Sequence, residues 1–494
     1  MTLNRLSMKR SRWPIFEARA VWLLACAMSV FAVVMPARAA EREEDYYRIL
    51  TYPTPDGVQF EPGALTITPS GELAIATRIG EIWIASNAFT DDPRDIEYKL
   101  FASGLHEPLG LTTRDGVLWA TQRGEVTKII DLDGDGLADR FETVSDDWGL
   151  TSDYHEYAFG SPFDRDGNIW IVLCLTGSFT SQAPFRGWCV RVSADGTFQP
   201  TAGGVRSPGG IGFNHEGEAF YTDNQGPWNG ACSLKHLRPG FFVGHPIGNR
   251  WYSLTDLDQP ATPKSGSRTH VEADRIPEYV PPAVIFPYNK MGQSASGIVC
   301  DETEGRFGPF SKQLFVSDQT QSVVMRVFLE KVDGRYQGAC FPFRKGFRSG
   351  NVPMVFAPDG SLVVGGTQRG WGSRGGREFA LERLVWTGKT PFEIEEMRAL
   401  PDGFELTFTT ELQPESAAKI ESYRIGTYTY IFQESYGSPE VDATKPTIRA
   451  LRVADDRRSV RLDVDGLMRG HVHELHLEGV RASDGRPLLH PVAY

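Results

Sequence analysis

Short runs of alternating apolar and polar residues follow a common turn at six places along the chain. The turn is usually centred on a Gly with an acidic neighbour, and the run after it is rich in Ile, Leu, Val, Ala and Trp. The six turns lie at Ser70-Gly71, Asp115-Gly116, Asp166-Gly167, Glu216-Gly217, Lys312-Gln313 and Asp359-Gly360. Alternation with a period of two indicates β-strands, so the pattern predicts a repeated unit of short strands joined by tight turns.

The spacing of these turns predicts the architecture. Successive copies are about 45 to 51 residues apart, except for one gap of about 95 residues between the fourth and the fifth. A period of about 40 to 50 residues with several strands per repeat is typical of a β-propeller in which each repeat is a four-stranded blade. We therefore expect an all-β fold with a six-bladed β-propeller over residues 41–390. An array of β-sandwiches with coincidental turns is the alternative.

The long gap contains an insertion, and a second kind of pattern follows the repeats. The insertion, roughly Pro227 to Met291, is rich in Gly, Pro, His and aromatic residues, which predicts an ordered loop over the mouth of the propeller. After Pro391 the alternating runs 404–409, 460–464 and 473–477 no longer follow the propeller period. They predict a small immunoglobulin-like β-sandwich over residues 391–494.

The composition of the chain supports short strands, and the first 40 residues differ in pattern from the rest. The chain has 494 residues with 51 Gly and 32 Pro, a density of turn formers that excludes a coiled coil or a helical bundle. Residues 1–40 join a basic start, the apolar run 21–35 and the small residues Ala37 and Ala39, which predicts a secretory signal peptide. We therefore expect a periplasmic or secreted protein with no membrane span after signal removal. An uncleaved anchor is the alternative.

The net charge bears on the expected binding partners, and the cysteines bear on the expected disulfides. Removing residues 1–40, with six Lys or Arg and one Glu, changes the formal net charge from −12 to −17. Nucleic acid is therefore not an expected partner, because binding it requires a basic surface. Cys174 with Cys189 and Cys300 with Cys340 are candidate disulfide pairs, for which pairing and free thiols both remain open. Cys232 is expected to be a buried thiol, and no C-x-x-C-H motif for covalent haem is present.

An acidic segment after the second turn matches the calcium-binding loop of twelve residues. The template places ligands at positions 1, 3, 5, 7, 9 and 12, with a Gly at position 6 for the sharp turn. Those positions are held by Asp131, Asp133, Asp135, Leu137, Asp139 and Glu142, with Gly136 at the turn. Because so many carboxylates repel one another without a cation, the segment predicts a structural calcium site, with a solvated acidic turn as the alternative.

Two segments in the middle of the chain carry candidate catalytic and binding residues. His155 precedes the third turn, and an imidazole that titrates near neutrality can act as a general base. Arg206, Asp223, Asn224 and Trp228 combine a cation, a carboxylate, an amide and an aromatic plane, a set suited to polar ligands such as sugars. The alternatives are a hydrogen-bonded loop histidine and an arginine that anchors a loop through backbone carbonyls.

A pair of histidines lies in the C-terminal region. His471 and His473 are two residues apart, so on a strand they lie on one face and can share a metal ion. No third ligand is evident from the sequence, and a surface strand is the alternative.

Several phrases along the chain resemble a known family. They are Tyr154-His155-Glu156, Phe163-Asp-Arg-Asp166-Gly167-Asn-Ile-Trp170, Val205-Arg206-Ser207-Pro208-Gly-Gly210, Asp223-Asn-Gln-Gly226-Pro227 and Ala357-Pro-Asp359-Gly360. Over about residues 55 to 370 their order resembles that of the soluble glucose/sorbosone dehydrogenases. The resemblance implies a six-bladed propeller that binds pyrroloquinoline quinone (PQQ) with calcium and oxidises sugars.

The resemblance assigns roles to particular positions. His155 matches the family's base, Arg206 matches a cofactor-binding arginine, and the carbonyls of Gly226 and Pro227 match those that hold the cofactor's calcium. Asp223 and Asn224 belong to the same cofactor-binding phrase. The chain departs from the family at Ser207, at Thr320 in place of a lysine, and at Gly350-Asn351-Val352 in place of two arginines. Lys290, Arg348 and Arg369 are candidates to replace these cations.

A second resemblance covers nearly the whole mature chain. The phrases Tyr221-Thr-Asp-Asn-Gln-Gly-Pro-Trp-Asn-Gly230, Met291-Gly-Gln-Ser-Ala-Ser-Gly-Ile-Val-Cys300, Gly366-Thr-Gln-Arg-Gly-Trp-Gly-Ser-Arg-Gly375 and Tyr436-Gly-Ser-Pro-Glu-Val-Asp442 are similar to those of a family of secreted bacterial propeller proteins named as dehydrogenases. Several members of that family carry a haem-binding cytochrome domain, which this chain lacks.

These resemblances imply a PQQ-dependent sugar or polyol oxidoreductase that passes electrons to an external acceptor. His155 is then the base, Trp228 or Trp371 stacks on the sugar, and Glu156 lies at the substrate. A non-redox carbohydrate-binding or scaffold propeller is the alternative. A metal-assisted sugar hydrolase or lyase that uses His155 and Glu156 is the third hypothesis.

Overall fold

The computed structural model describes residues 41–151, 153–175 and 179–494, so the predicted signal peptide lies outside the described residues. Strands dominate this part of the chain, which contains 32 strands and two short α-helices, α1 (Thr269–Arg275) and α2 (Pro414–Ala417). None of the helices in the described ranges is long and apolar enough to cross a membrane.

Six four-stranded antiparallel sheets form the larger part of the fold, and we call them blades 1 to 6. The chain begins with β1 (Tyr47–Thr51), which belongs to blade 6. Blade 1 consists of β2 (Pro62–Ile67), β3 (Leu73–Thr77), β4 (Ile82–Ser86) and β5 (Glu97–Ala102). Blade 2 consists of β6 (Gly110–Arg114), β7 (Val117–Thr121), β8 (Val126–Ile130) and β9 (Arg140–Ser145). Blade 3 consists of β10 (Ala158–Phe163), β11 (Asn168–Leu173), β12 (Trp188–Ser193) and β13 (Phe198–Gly203).

The remaining three blades follow in chain order. Blade 4 consists of β14 (Pro208–Phe213), β15 (Ala219–Asp223), β16 (Cys232–Leu237) and β17 (Val284–Phe286). Blade 5 consists of β18 (Ala295–Cys300), β19 (Leu314–Asp318), β20 (Val323–Val332) and β21 (Arg335–Lys345). Blade 6 consists of β22 (Asn351–Phe356), β23 (Leu362–Thr367), β24 (Phe379–Trp386) and the N-terminal β1.

The six blades close into a ring. The first strand of each blade contacts the first strand of the next, and β22 of blade 6 contacts β2 of blade 1. The ring is fastened where the N-terminal β1 pairs with β24, from Tyr47 opposite Trp386 to Thr51 opposite Glu382. The apolar clusters lie between neighbouring sheets, so the core consists of layers between blades. The predicted six-bladed propeller is confirmed.

The six turns that predicted the repeat are the connections between the first and second strands of the blades. The Gly of five turns has a positive φ, for example +80° at Gly116 and +87° at Gly360, which residues with a Cβ rarely adopt. The fifth turn has no Gly, and Lys312 takes the positive φ of 67° there. The repeat is thus visible in the sequence because every blade needs the same tight turn.

The insertion falls inside blade 4, between β16 and β17, and is shorter than the sequence pattern suggests because β16 itself belongs to the blade. It contains a 3₁₀ helix, Pro246–Leu254, and α1. Phe242 pairs with Gly203 at the edge of blade 3, and Ser267 pairs with Phe432 in the C-terminal region. The insertion therefore packs against blade 3 and the C-terminal strands. Its position over the mouth stays a prediction.

The C-terminal region contains two four-stranded sheets with a shared core. In chain order its strands are β25 (Ile394–Leu400), β26 (Gly403–Phe408), β27 (Arg424–Tyr430), β28 (Glu440–Thr444), β29 (Thr447–Val453), β30 (Ser459–Asp465), β31 (Val472–His476) and β32 (Val492–Ala493). The sheet orders are β25-β26-β30-β29 and β28-β27-β31-β32. Leu406 and Leu462 of one sheet and Leu475 of the other belong to one buried cluster, as a β-sandwich requires.

The sandwich is continuous with blade 5. Phe328 and Phe341, from the long hairpin β20–β21, belong to the same buried cluster as the sandwich core. At the C-terminus, the Tyr494 and Cys340 backbones exchange N–H···O bonds of 2.9 and 3.1 Å.

The five described cysteines are thiols rather than disulfides. Cys300 pairs with Leu314, Leu314 with Val327, and Val327 with Cys340, so the two cysteines lie on opposite edges of blade 5. Three strand spacings separate them by about 14 Å, and a disulfide needs Cα atoms within about 7 Å. Burial also raises the pKa of the Cys232 thiol to about 12, which agrees with the expected inert buried thiol.

Candidate functional site

A cleft lies at the mouth of the propeller, where the first strands of the blades begin and the second strands end. Its polar and aromatic side chains include Arg78, His155, Asn224, Gln319, Arg369 and Trp371. The enclosed part has a volume of about 50 Å³, which is room for a few water-sized groups. A ligand can therefore insert one polar edge, with the rest of it against Trp371, whose side chain is 53% exposed.

His155 is half-buried at the edge of this cleft. Its backbone N–H donates to Asp153 Oδ1 at 3.0 Å, and its ring makes edge contacts with Tyr154 and Tyr157. Burial lowers the pKa of the imidazole below its usual 6.5, and the nearby Arg123 and Arg206 lower it further against the opposing effect of Asp153. His155 is therefore neutral at pH 7 and able to accept a proton.

The neighbouring Glu156 does not face the cleft. It is fully buried, and its carboxylate accepts hydrogen bonds from Thr151 N and Oγ1 at 2.7 and 2.6 Å and from Ser181 Oγ at 2.7 Å. Burial raises its pKa, but these hydrogen bonds hold it below the usual value. The placement of Glu156 at the substrate is thus wrong: this side chain instead fixes the loop that carries His155.

Arg206 is buried, and it anchors a loop. Its Nη1 donates to the carbonyls of Asn224 and Gln225 at 3.1 and 2.6 Å. The guanidinium packs against Gly226, where an added Cβ would lie 1.9 Å from Cζ, so a larger residue there would displace the Arg206 side chain. The Gly226 carbonyl accepts the Asn229 N–H at 3.1 Å, and Pro227 is half-buried beside it. The loop-anchoring alternative for Arg206 is the one that the structure shows.

Asp223 lies beneath the cleft in a buried ion pair. Its Oδ2 accepts from Lys235 Nζ at 2.9 Å and from Tyr221 OH at 3.0 Å, and its Oδ1 accepts from Ser207 N at 2.8 Å. Burial raises the pKa of Asp223, but Lys235 and the Ser207 N–H hold it below its usual value. The carboxylate therefore supports the loop from below, and within its phrase Asn224 is the residue that reaches the cleft.

The two predicted stacking tryptophans have different environments. Trp228 is buried in an apolar cluster with Phe242, Ile276, Tyr279 and Phe432, so its assignment to the sugar is wrong. Trp371 lies in the exposed loop after β23 and lines the cleft.

Two cations that the sequence reasoning did not single out, Arg78 and Arg123, lie around the mouth together with Arg369, one of the proposed replacement cations. Arg78 donates to Glu107 Oε1 through Nε and Nη2, at 2.9 and 2.5 Å, and Arg123 also pairs with Glu107, at 3.2 Å. The Arg78 and Arg123 guanidinium groups each lie about 5 Å from the centre of the Tyr157 ring. Arg369 lines the cleft and pairs with Glu61, with its Nε at 2.7 Å.

The other two proposed replacement cations lie elsewhere. Lys290 forms ion pairs of 2.8 Å with Glu440 and Glu474 of the sandwich. Arg348 is not among the described residues that line the cleft.

A repeated position in the sequence could have located the missed residues. In five of the six blades the second strand ends in a buried Thr or Asp that is followed by a polar side chain at the mouth, whereas β11 of blade 3 ends at Leu173. The pairs Thr77-Arg78, Asp223-Asn224 and Asp318-Gln319 and the longer phrases Thr121-Gln122-Arg123 and Thr367-Gln368-Arg369 follow this pattern. The signal was therefore present in the sequence at a similar, though not constant, distance after five of the six turns.

The acidic loop between β8 and β9 gathers part of the predicted calcium set. Carboxylate oxygens of Asp131, Asp133 and Asp139 lie within 4.8 Å of one another. Asp131 accepts from Gly134 N and Gly136 N at 2.8 Å, and Asp139 accepts from Leu132 N at 2.7 Å.

The remaining members of the calcium set lie outside this group. Asp135 Oδ1 accepts from Leu137 N at 2.8 Å, and the Asp135 carbonyl accepts from Lys99. Glu142 lies on β9 in a 2.9 Å ion pair with Arg140.

Comparisons with known proteins give a family and a set of similar folds. Residues 78–345 match the model of a family described as "Domain of unknown function (DUF7133)". No curated protein matches the chain.

Several solved structures are similar to the chain. A protein of Thermus thermophilus named as a glucose dehydrogenase is 19% identical, with 69% of this chain and 100% of that chain covered and a TM-score of 0.49. The PQQ-bound aldose sugar dehydrogenase of Streptomyces coelicolor is 16% identical, with 69% and 98% covered and a TM-score of 0.48. The soluble aldose sugar dehydrogenase of Escherichia coli, in its apo form, is 13% identical, with 69% and 99% covered and a TM-score of 0.45.

Proposed function

We propose that this chain, which belongs to the DUF7133 family, binds a sugar or polyol in the mouth cleft and oxidises one of its hydroxyl groups. The observation that carries the proposal is a neutral, half-buried His155 in the same cleft as the exposed Trp371 and the amides of Asn224 and Gln319. Such a set suits a ligand with one apolar face and many hydroxyl groups.

Each residue of the cleft has its own role in the proposed reaction. Trp371 stacks on the apolar face of the sugar ring, and Asn224 and Gln319 bind its hydroxyl groups. His155 accepts the proton of the hydroxyl that is oxidised, and the hydrogen on its carbon leaves with two electrons, as hydride, to an external two-electron acceptor. Glu156 acts on the base indirectly, because it fixes the loop of His155 through Thr151 and Ser181. As the predicted signal peptide indicates, the reaction takes place in the periplasm or outside the cell.

PQQ, the hydride acceptor that the resemblance implies, does not fit the residues present. It is a tricarboxylate and needs cations whose donors can reach it. Here Arg206 donates to loop carbonyls, and Arg78 and Arg369 are paired with Glu107 and Glu61. The positions of the family's lysine and arginine pair hold Thr320 and Gly350-Asn351-Val352. No step is therefore assigned to this cofactor.

Sugar binding is tested by titrating the purified protein with a panel of sugars and polyols while its tryptophan fluorescence is recorded. We expect saturable binding of at least one member, weakened about fivefold or more in Trp371→Ala, because a stacked aromatic contributes roughly 1 kcal/mol or more. Leu254→Ala removes an equally exposed apolar side chain far from the cleft and serves as the control. Equal affinity in the two variants contradicts the assignment of Trp371.

A non-redox carbohydrate-binding propeller is the second candidate. It is favoured by the engagement of Arg78 and Arg369 with carboxylates, which leaves the cleft better matched to a neutral sugar than to a charged cofactor. This candidate predicts the same sugar binding, but no sugar-dependent reduction of an electron-accepting dye by the protein, either with or without added PQQ.

We also propose that the acidic loop binds calcium as a structural ion, through Asp131, Asp133 and Asp139. Three carboxylates within 4.8 Å of one another repel in the absence of a cation. We expect a chelator to lower the melting temperature of the wild-type protein but not of the double variant Asp131→Asn/Asp133→Asn. A melting temperature that is unaffected by calcium and chelator contradicts this site.

A further inference from the structure

A loop of the C-terminal sandwich lies against the mouth of the propeller. This loop, residues 431–439, connects β27 to β28, and we call it the rim loop. The Gln433 carbonyl accepts the Trp228 N–H at 2.7 Å, and the Ser438 N–H donates to the Gly230 carbonyl at 3.1 Å. Trp228 and Gly230 belong to the loop between β15 and β16, whose first residue lines the cleft. The sandwich therefore contacts the edge of the mouth.

Hydrogen bonds hold the rim loop in one conformation. Ser438 Oγ accepts the Ile431 N–H at 2.8 Å, and Gln433 Nε2 donates to the Gly437 carbonyl at 3.0 Å. The loop also packs closely on the propeller, because a Cβ added to Gly437 would lie 2.9 Å from the Gln225 Cδ. A side chain on such a loop is preorganised, so binding a ligand through it costs little ordering entropy.

Tyr436 is the exposed aromatic side chain of the rim loop, and Arg206 supports it. The Arg206 Cζ lies over the Tyr436 ring at 5.3 Å from its centre, and yet Tyr436 is 67% exposed. Because the guanidinium covers one face of the ring, the opposite face is open to solvent. Arg206 also donates to the Asn224 carbonyl at 3.1 Å and precedes Ser207, and both of these residues line the cleft. A single residue, Arg206, therefore connects the Tyr436 ring to the cleft wall.

Tyr436 and Trp371 are exposed aromatic residues at the mouth that come from different parts of the fold. Trp371 follows β23 of blade 6 and lines the cleft, whereas Tyr436 belongs to the sandwich and is not among the described residues that line the cleft. A single sugar ring that inserts its polar edge into the cleft contacts Trp371, and Tyr436 lies beyond it. A second ring linked to the first extends over the rim to the open face of Tyr436, where its apolar face can pack.

We propose that Tyr436 forms a second sugar subsite, so that the preferred ligand of the cleft is an oligosaccharide of at least two rings; this inference rests on the proposed sugar binding. The terminal ring binds in the cleft against Trp371, and the next ring stacks on Tyr436. The phenolic hydroxyl of Tyr436 donates or accepts a hydrogen bond with a hydroxyl group of that second ring. The C-terminal sandwich thereby determines the length of ligand that the propeller prefers.

The test is calorimetric titration of the purified full chain with monosaccharides and with their linked disaccharides and trisaccharides, in the glucose, mannose and xylose series. We expect a disaccharide to bind at least about fivefold more tightly than its monosaccharide, and Tyr436→Ala to abolish this difference. Tyr436→Phe keeps the ring and should keep most of the difference. Phe141→Ala removes an aromatic residue that is 45% exposed on the outermost strand of blade 2, and it should bind every length as the wild type does.

Kinetics give a second readout. With a disaccharide that is oxidised, Tyr436→Ala should raise KM about fivefold and leave kcat within about twofold, because it removes binding that the ground and transition states share. Equal affinity for one and two rings in the wild type, or an equal loss at every length in Tyr436→Ala, overturns the second subsite and leaves the proposed sugar binding intact. Absence of binding at every length, at millimolar sugar, overturns both.

Discussion

At the scale of single residues, the environment of each side chain decides its role. His155 and Glu156 are neighbours in the chain, yet the histidine edges the cleft and the glutamate is fully buried under three hydrogen bonds. Trp228 and Trp371 show the same contrast, because one is in a core cluster and the other is exposed. Residue type predicted all four as site residues, but only His155 and Trp371 line the cleft, because Glu156 and Trp228 are buried elsewhere.

His155→Asn should keep the fold and lower the turnover of a sugar substrate by at least about 100-fold, because asparagine cannot accept the proton. Since the pKa of His155 lies below 6.5, the wild-type rate should be constant near neutrality and fall as the pH drops through that lowered pKa. The pH profile of turnover measures both effects. Undiminished turnover in the variant would remove the base assignment.

The buried pair of Asp223 and Lys235 predicts a large loss of stability. Asp223→Asn leaves the Lys235 ammonium, 3% exposed, without its counterion, and breaking such a pair costs about 3 to 5 kcal/mol. Urea unfolding measures the change in free energy. The double variant Asp223→Asn/Lys235→Met should be more stable than Asp223→Asn alone, and equal stability of the two would show that the buried charge is not the cause.

At the scale of elements, glycines allow the innermost strands to converge around the propeller axis. A Cβ on Gly210 of β14 would lie 2.7 Å from the Gly297 Cα of β18, and a Cβ on Gly110 of β6 would lie 2.7 Å from the Gly160 Cα of β10. The obstructing atoms belong to backbone, so they cannot move aside as a side chain would. The close packing of neighbouring blades therefore depends on these positions.

Gly210→Ala should destabilise the propeller by about 1 to 3 kcal/mol, because the two strands must separate to admit the methyl group. Gly426→Ala is the control, since it lies on a strand and its Cβ would meet nothing within 4 Å. Thermal unfolding of both variants gives the comparison. A Gly210→Ala protein as stable as the control would contradict the close-packing account.

The elements also show what could be predicted from the sequence. Blade number, the strand that follows the turn in each blade and three of the eight sandwich strands were predicted, because each depends on a local turn or on alternation within a few residues. The packing of the insertion was not, since it depends on pairs such as Ser267 with Phe432, far apart in the chain. The same reason hid the burial of Glu156 and Trp228.

At the scale of the whole molecule, one histidine joins three distant parts of the chain. His490, near the C-terminus, contacts Glu393 at 2.6 Å through Nδ1 and Glu43 at 3.0 Å through Nε2. Burial lowers the pKa of His490, but the two carboxylates outweigh it and raise the pKa to about 9. The charged imidazolium therefore ties the N-terminal segment and the start of the sandwich to the chain end.

This contact predicts a definite dependence of stability on pH. The pKa is raised on folding from about 6.5 to about 9, so the contribution is complete below about pH 6.5 and lost as the pH rises through 9. The shift corresponds to roughly 3 kcal/mol. In urea unfolding between pH 6.5 and 9.5, His490→Gln should lose this part of the pH dependence and His215→Gln should keep it. A wild-type slope that persists in His490→Gln assigns it to other groups.

The central claim is oxidation of a sugar or polyol in the mouth cleft. The measurement that tests it most directly is sugar-dependent reduction of an electron-accepting dye by the purified protein, with and without added PQQ, across a panel of sugars and polyols. The account predicts dye reduction with at least one sugar, and its loss in His155→Asn. Absence of dye reduction under both conditions, with a sugar still bound in the fluorescence titration, would contradict it and identify a carbohydrate-binding propeller.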